Sequence, residues 1–273
     1  VLGKRDDGYH EIRTVMQSVA LCDDLCFRER SDGRIVLRAS DRDLPPPAEN
    51  LVVRAARLLA ERTGIGPGVT IELEKTIPMG AGLGGGSSDC AATLKALNEL
   101  WDLGLGRDEL CGFAAELGSD VPFFLYGGTA LCEGRGEKVT PWEANGPFHY
   151  VLVMPELHVS TADVFAGCDN LTRPEGRVNM EKIQIALATG DCERLGASLH
   201  NDLEPPASKL YPEVNRLAST LRPVFQSLGC KGFSLSGSGS CFFGLFDGSA
   251  QAAEAATEVR EKRQIPSCCT TDL

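Results

Sequence analysis

Eleven consecutive residues, Pro78-Met79-Gly80-Ala81-Gly82-Leu83-Gly84-Gly85-Gly86-Ser87-Ser88, contain five glycines and end on two serines. Backbone without Cβ atoms can turn its N–H groups toward one point. A helix start directly downstream adds unpaired N–H donors and a favourable dipole for an anion. Ser87 and Ser88 could add hydroxyls for phosphate oxygens or for Mg²⁺. The competing reading is a flexible linker with helix-capping serines. A linker fits poorly between a regular strand and an amphipathic helix, so the run is read as a phosphate cradle. It is not a Walker loop, because it contains no lysine. Gly80-x-Gly82-x-x-Gly85 matches a dinucleotide fingerprint, which requires a buried parallel strand directly before it and an acidic residue about 20 residues on. Val69 to Lys75 alternates instead, predicting one wet face. Lys75-Thr76-Ile77-Pro78 intervenes, and the chain beyond the glycines is helical, so that match is taken as accidental.

Three further groups could carry chemistry. Asp120, in Ser119-Asp120-Val121-Pro122-Phe123-Phe124, comes after a helix stop at Gly118. By residue pattern a helix-capping role is favoured over general-base work. Gly8-Tyr9-His10 is a turn whose aromatic pair could be structural or could stack on and bond a nucleobase. Ser236-Gly237-Ser238-Gly239-Ser240 lies between two strands and could be only a hairpin turn. The 11 cysteines include no CxxC pair, and His10, His149, His158 and His200 are dispersed. That pattern fits neither a disulfide framework nor a zinc site, and no metal ligand can be assigned.

The elements that must hold these groups can be read from periodicity. Val15–Phe27 and Arg34–Arg38 read as strands joined by a turn at Ser31-Asp32-Gly33. Asn50 can cap a helix through Leu51, Ala55, Leu58 and Leu59 that stops at Gly64. A helix burying Cys90, Leu94, Leu97 and Trp101 comes after the glycine run, and a second one starts at Arg107. Composition turns loop-like from Trp142 to Phe148, which sets the expected domains as residues 1–147 and 148–273. The second half reads strand, helices at 180–188, 191–199 and 212–228, two strands around the Gly/Ser turn, and a helix at 250–263.

With 42% hydrophobic and 24% charged residues the chain can bury a substantial core. Its net charge of −11, without a basic tract, argues against nucleic acid. No run approaches the roughly 18 apolar residues of a membrane span. A cytoplasmic protein acting without nucleic acid or membrane, as a monomer or weak homodimer, is expected. The opening Val1-Leu2-Gly3-Lys4 reads as the end of a strand, and upstream residues are expected to be missing.

The pattern Pro78-x-x-x-Gly82-Leu83-x-x-x-Ser87-Ser88 resembles the phosphate loop of the kinases named for galactokinase, homoserine kinase, mevalonate kinase and phosphomevalonate kinase, the GHMP kinases. The longer string through Trp101 is similar to the branch acting on 4-diphosphocytidyl-2-C-methyl-D-erythritol in non-mevalonate isoprenoid synthesis. Gly3–Glu11, Glu49–Leu51, Leu117–Phe124, Asn201–Glu204 and Ser236–Ser240 stand in the family's order and cover most of the chain. The resemblance implies an α+β fold of two domains, a half like ribosomal protein S5 domain 2 and then a ferredoxin-like half. It implies ATP with Mg²⁺, held by the residues from Pro78 to Ser88 with Asn50 near the adenine. Asp120 becomes the catalytic carboxylate. Tyr9 and His10 become the cytosine site, closed by Thr161 and Phe165, with Ser236, Gly237, Ser238 and Gly239 in support. The family also pairs the aspartate with a lysine in a Pro-Ala-Lys-Ile-Asn-like strand absent from this sequence, and Lys4 is not promoted in its place. Two alternatives remain open: another small-molecule kinase of the superfamily, acting on mevalonate or homoserine, or a non-catalytic nucleotide-binding relative.

Overall fold

A computed structural model of the chain describes residues 1–39, 44–64, 67–169 and 178–273. Strands β1 (Gly3–Lys4) and β2 (His10–Gln17) form a hairpin in which Lys4 pairs with His10. Arg5 organises its turn by bonding Asp7 and Glu11, and Asp7 accepts the Tyr9 amide. Lys4 therefore lies in a short strand that ends at the turn.

β3 (Asp24–Arg30), β4 (Ile35–Ala39), α1 (Leu51–Thr63) and β5 (Gly68–Glu74) come next. The expected single strand from Val15 to Phe27 is two strands in different sheets, because the chain leaves the first sheet after Gln17. β3 and β4 are not partners across their turn. They flank β5, antiparallel on one side and parallel on the other. The expected wet face of β5 is kept only in part: Thr70 is buried, Glu72 half-buried and Glu74 exposed. Arg30 donates to Thr70, and Arg28 and Arg38 reach Glu72, so long arginine stems lie over the polar face. Alternation had signalled polarity, but the neighbouring strands decide exposure. The mixed pairing is still unlike the parallel sheet a dinucleotide fold requires.

Asn50 caps α1 through its side-chain oxygen, 2.9 Å from the Val52 amide, and Gly64 ends the helix. The chain continues through α2 (Gly85–Leu100), α3 (Arg107–Leu117), α4 (Val121–Tyr126), β6 (Thr129–Gly134) and β7 (Lys138–Trp142). One sheet runs β1-β2-β6-β7 and a second runs β3-β5-β4. Between the second sheet and the helices α1 and α2, Leu59, Ile71, Leu94 and Leu97 are sealed in one core.

The second half contains β8 (His149–Val153), α5 (Thr161–Ala166), α6 (Met180–Thr189), α7 (Cys192–Ala197), α8 (Glu204–Leu210), α9 (Pro212–Ser227), β9 (Gly232–Leu235), β10 (Phe242–Phe246), α10 (Ser249–Thr257) and β11 (Ser267–Thr271). The short helices α5 and α8 are additions to the sequence reading. The sheet order β11-β8-β10-β9 is wholly antiparallel. This is the arrangement of a split βαβ, or ferredoxin-like, unit. Phe225, Phe233, Phe242 and Phe246 pack together under it.

Candidate active site

The glycine run is part loop, part helix. Gly80, Gly82 and Gly84 have φ of 66°, 78° and 69°, and α2 begins at Gly85, so residues 85–88 form its first turn. Gly82 is locked against the Gly/Ser turn. A Cβ there would stand 2.3 Å from the Ser236 carbonyl oxygen. Ser236 Oγ donates to the Gly82 carbonyl at 2.8 Å, and the Cys241 amide donates to the Ala81 carbonyl at 3.0 Å. The Ser236–Ser240 segment is thus both a hairpin turn and the backing of the loop. Asn201 braces it in turn, donating to the carbonyls of Leu235 and Gly237 at 2.9 and 2.7 Å.

Gly86, by contrast, is exposed, and a Cβ there would meet nothing nearer than Leu51 at 3.8 Å. The first N–H groups of α2 have no intrahelical acceptor, and the backbone at Gly86 is open to solvent. The Ser88 hydroxyl donates to the Gly85 carbonyl at 2.8 Å, which leaves its oxygen lone pairs free to accept. Ser87 makes no side-chain hydrogen bond among the described residues. Pro78 and Met79 are exposed at the tip, and Leu83 packs against the core of the second half.

Beneath the loop lies an ion-pair network that sequence reading missed. Lys75 at the end of β5 bonds both Asp23 and, at 2.9 Å, Asp89 of α2, with all three side chains at most 5% exposed. Asp23 also accepts the amides of Thr76 and Ile77 at 2.6 and 2.8 Å. Burial disfavours its charge, but Lys75 and these amides outweigh that and hold it below the ordinary carboxylate value. Asp89 lacks such amides, and burial, only partly offset by Lys75, pushes it up to about 6. A lysine closing a strand and an aspartate one turn into the next helix were the available signal. Asp23, more than 50 residues from Lys75, gave none.

Asp120 stands before α4, yet it makes no side-chain cap hydrogen bond. The capping role favoured by its sequence position is not what this side chain does. Its carboxylate has no hydrogen-bond partner among the described residues, and burial raises its pKa. A Cβ on Gly136, in the β6–β7 turn, would lie 3.2 Å from Asp120 Oδ1. Nearby Cys132 is pushed up to about 12 by burial and then by the Asp120 charge.

The remaining site residues close a ring of contacts. From Gly84, Phe124 of α4 is 2.8 Å from where a Cβ would stand. Asp120 lies four residues of helix away, about 6 Å of rise. Gly136 is next, then Arg135, whose guanidinium sits 4.6 Å from the Tyr9 ring centre. His10 is buried beside Tyr9 and packs on Phe165 of α5 with ring centres 5.3 Å apart. Thr161, at the start of α5, bonds Ser238 at 2.8 Å, and the Ser236–Ser240 turn returns to Gly82. Tyr9, His10, Thr161, Phe165, Asp120 and the glycine loop are therefore all members of one ring. Asn50 caps α1, where its oxygen is engaged, and the next residue, Leu51, is the nearest neighbour of a Cβ on Gly86. Lys4 bonds Asp169 at 2.6 Å. Arg135 and Asp169 were missed by sequence reading, since nothing local marks either.

Residues 50–128 match the GHMP kinases N terminal domain and residues 183–264 the GHMP kinases C terminal domain. Fold and site thus define a GHMP kinase. A 4-diphosphocytidyl-2-C-methyl-D-erythritol kinase of Pelotomaculum thermopropionicum is 44% identical, covering 95% of this chain and 89% of its own length. One from Bacillus cereus is 42% identical, covering 90% and 83%. A crystal structure of 4-(cytidine 5'-diphospho)-2C-methyl-D-erythritol kinase superposes with a TM-score of 0.79 at 37% identity, covering 98% of this chain and 92% of that one. The homoserine kinase of Cytophaga hutchinsonii, at 22% identity and a TM-score of 0.78 over 95% and 88%, shares the fold. The chain belongs to the 4-diphosphocytidyl-2-C-methyl-D-erythritol kinase family.

Proposed function

We propose that this chain transfers the γ-phosphoryl group of ATP to the 2-hydroxyl of 4-diphosphocytidyl-2-C-methyl-D-erythritol, releasing ADP. The observation that carries this reading is the ring of contacts joining the glycine loop, the partnerless Asp120 carboxylate and the Tyr9-His10 pair. The first-turn amides of α2 take the nucleotide phosphates, with the Ser87 hydroxyl beside them. Asp120 accepts the proton of the attacking hydroxyl as its oxygen bonds to the γ-phosphorus and the bond to ADP breaks. Tyr9 stacks on the cytosine, with His10 at its edge and Thr161 and Phe165 on the far side. The domain division falls between Pro147 and Phe148, with residues 1–147 supplying the nucleotide loop and Asp120 and residues 148–273 supplying α5 and the Gly/Ser turn.

Among the described residues no group of three or more His, Cys, Asp or Glu side chains could hold a metal. Mg²⁺ carried on ATP needs only one or two protein oxygens, and the Ser87 hydroxyl fits that requirement. The ion would neutralise charge on the phosphates. A phosphorylation assay with the cytidine diphospho-substrate, mevalonate and homoserine tests the reading. Turnover of the first alone is expected, and turnover of only the other two would overturn the substrate assignment.

A further inference from the structure

His10 is 8% exposed, and its ring is held from two sides. Phe165 lies against one face. Asp169, just beyond α5, meets the edge, with Oδ1 2.7 Å from His10 Nε2. The other carboxylate oxygen of Asp169 is 2.6 Å from Lys4 Nζ. Lys4 and then His10 hold this carboxyl below its ordinary pKa, so it is an acceptor only. A ring nitrogen facing it must carry the proton, and a neutral imidazole has only one. His10 Nδ1 is then a bare lone pair, with no hydrogen-bond partner among the described residues.

We infer that Asp169 is a positioning residue that fixes His10 as the Nε2–H tautomer and so selects a 4-amino pyrimidine over a 4-keto one. The inference rests on the proposed placement of the base beside His10. Nδ1 accepts a hydrogen bond from an exocyclic amino group, whereas a carbonyl oxygen in the same place would confront its lone pair. Lys4 sharpens the effect. It is a donor only, so in an Asp169→Asn variant the amide oxygen turns to Lys4 and the NH₂ faces Nε2. Nε2 must then accept, and the proton moves to Nδ1. The preference between amino and keto groups inverts.

The test measures kcat and KM for the cytidine and the corresponding uridine diphospho-substrates in the wild type, Asp169→Asn and Asp169→Glu. It is joined to ¹⁵N NMR of the His10 ring near pH 8.5, about two units above an ordinary imidazole pKa. The wild-type ring is expected to be protonated at Nε2 alone and the Asn variant at Nδ1 alone. The Asn variant should lose about 10- to 100-fold in kcat/KM for the cytidine substrate, through KM, while gaining on the uridine one. The Glu variant should restore both readouts toward wild type. A wild-type ring protonated at Nδ1 or at both nitrogens overturns the inference, as does an Asn variant with unchanged base preference. If the wild type phosphorylates neither substrate, the proposed function falls, and the ring resonances still decide whether Asp169 sets the tautomer.

Discussion

Two glycines of the same loop should fail in opposite ways when given a methyl group. At Gly82 φ is 78°, and the added Cβ would lie 2.3 Å from the Ser236 carbonyl and 3.0 Å from that of Gly239. A left-handed alanine costs about 1–2 kcal/mol. Relieving the clash separates two backbone segments and loses the Ser236–Gly82 and Cys241–Ala81 hydrogen bonds, at about 1 kcal/mol each. Gly82→Ala should therefore lose about 3–4 kcal/mol and melt about 10 °C lower. At Gly86 the backbone is helical and the nearest atom is 3.8 Å away. Alanine there should raise stability by about 0.5–1 kcal/mol. The same methyl stands where the phosphates approach the helix amides. Loss of one charge-assisted hydrogen bond, about 1.5–3 kcal/mol, should raise the KM for ATP about 10- to 100-fold. Thermal melts and steady-state kinetics on both variants decide the matter. A Gly86→Ala enzyme with wild-type KM for ATP would remove the phosphates from this helix end. A Gly82→Ala protein that melts like the wild type would refute the interlock with the Ser236–Ser240 turn.

Asp120→Asn is expected to lower kcat by about 10²- to 10⁴-fold while leaving ATP affinity, read by nucleotide titration, unchanged. Because burial raises the Asp120 carboxyl above 3.8 and the reaction needs it ionised, the acid limb of kcat should lie above that value; a limb at or below it contradicts the role. Asp89 titrates near 6 in the fold against about 3.8 unfolded, so its contribution favours folding fully below about 3.8 and is lost as pH rises through about 6. That loss is at most roughly 3 kcal/mol, so relative to Asp89→Asn the wild type should weaken between pH 4 and 7 in urea titrations. Asp23→Asn, which keeps an oxygen for the two amides but removes the charge that Lys75 pairs with and turns an NH₂ toward its ammonium, should cost about 3 kcal/mol or more at pH 7, and a smaller effect than at Asp89 would reverse the assignment. Asn201→Ala leaves two carbonyls of the Gly/Ser turn without their donor and should lower stability by about 2 kcal/mol, measured by the denaturation midpoint.

Sequence alone determined the features that depend on neighbours in the chain. Asn50 and Gly64 bound α1 as their types require, since a cap acts within one helical turn. The glycine run, its exit into α2 and the stop at Gly118 before Asp120 were legible for the same reason. Local signals misled where exposure depends on other strands. The alternation of β5 promised a wet face that holds at Glu72 and Glu74 but not at Thr70, which Arg30 of β3 meets, and the turn at 31–33 suggested a hairpin where β5 intervenes. The site's electrostatics were decided by tertiary structure. Lys75 meets Asp23 from 52 residues away, and His10 meets Asp169 from 159. A short polar side chain makes a bond at such separation only where folding brings it, and nothing in its own segment encodes the partner. Asp120 shows both levels at once: its position in the chain suits a helix cap, and the fold leaves its carboxylate without a cap bond, facing Gly136.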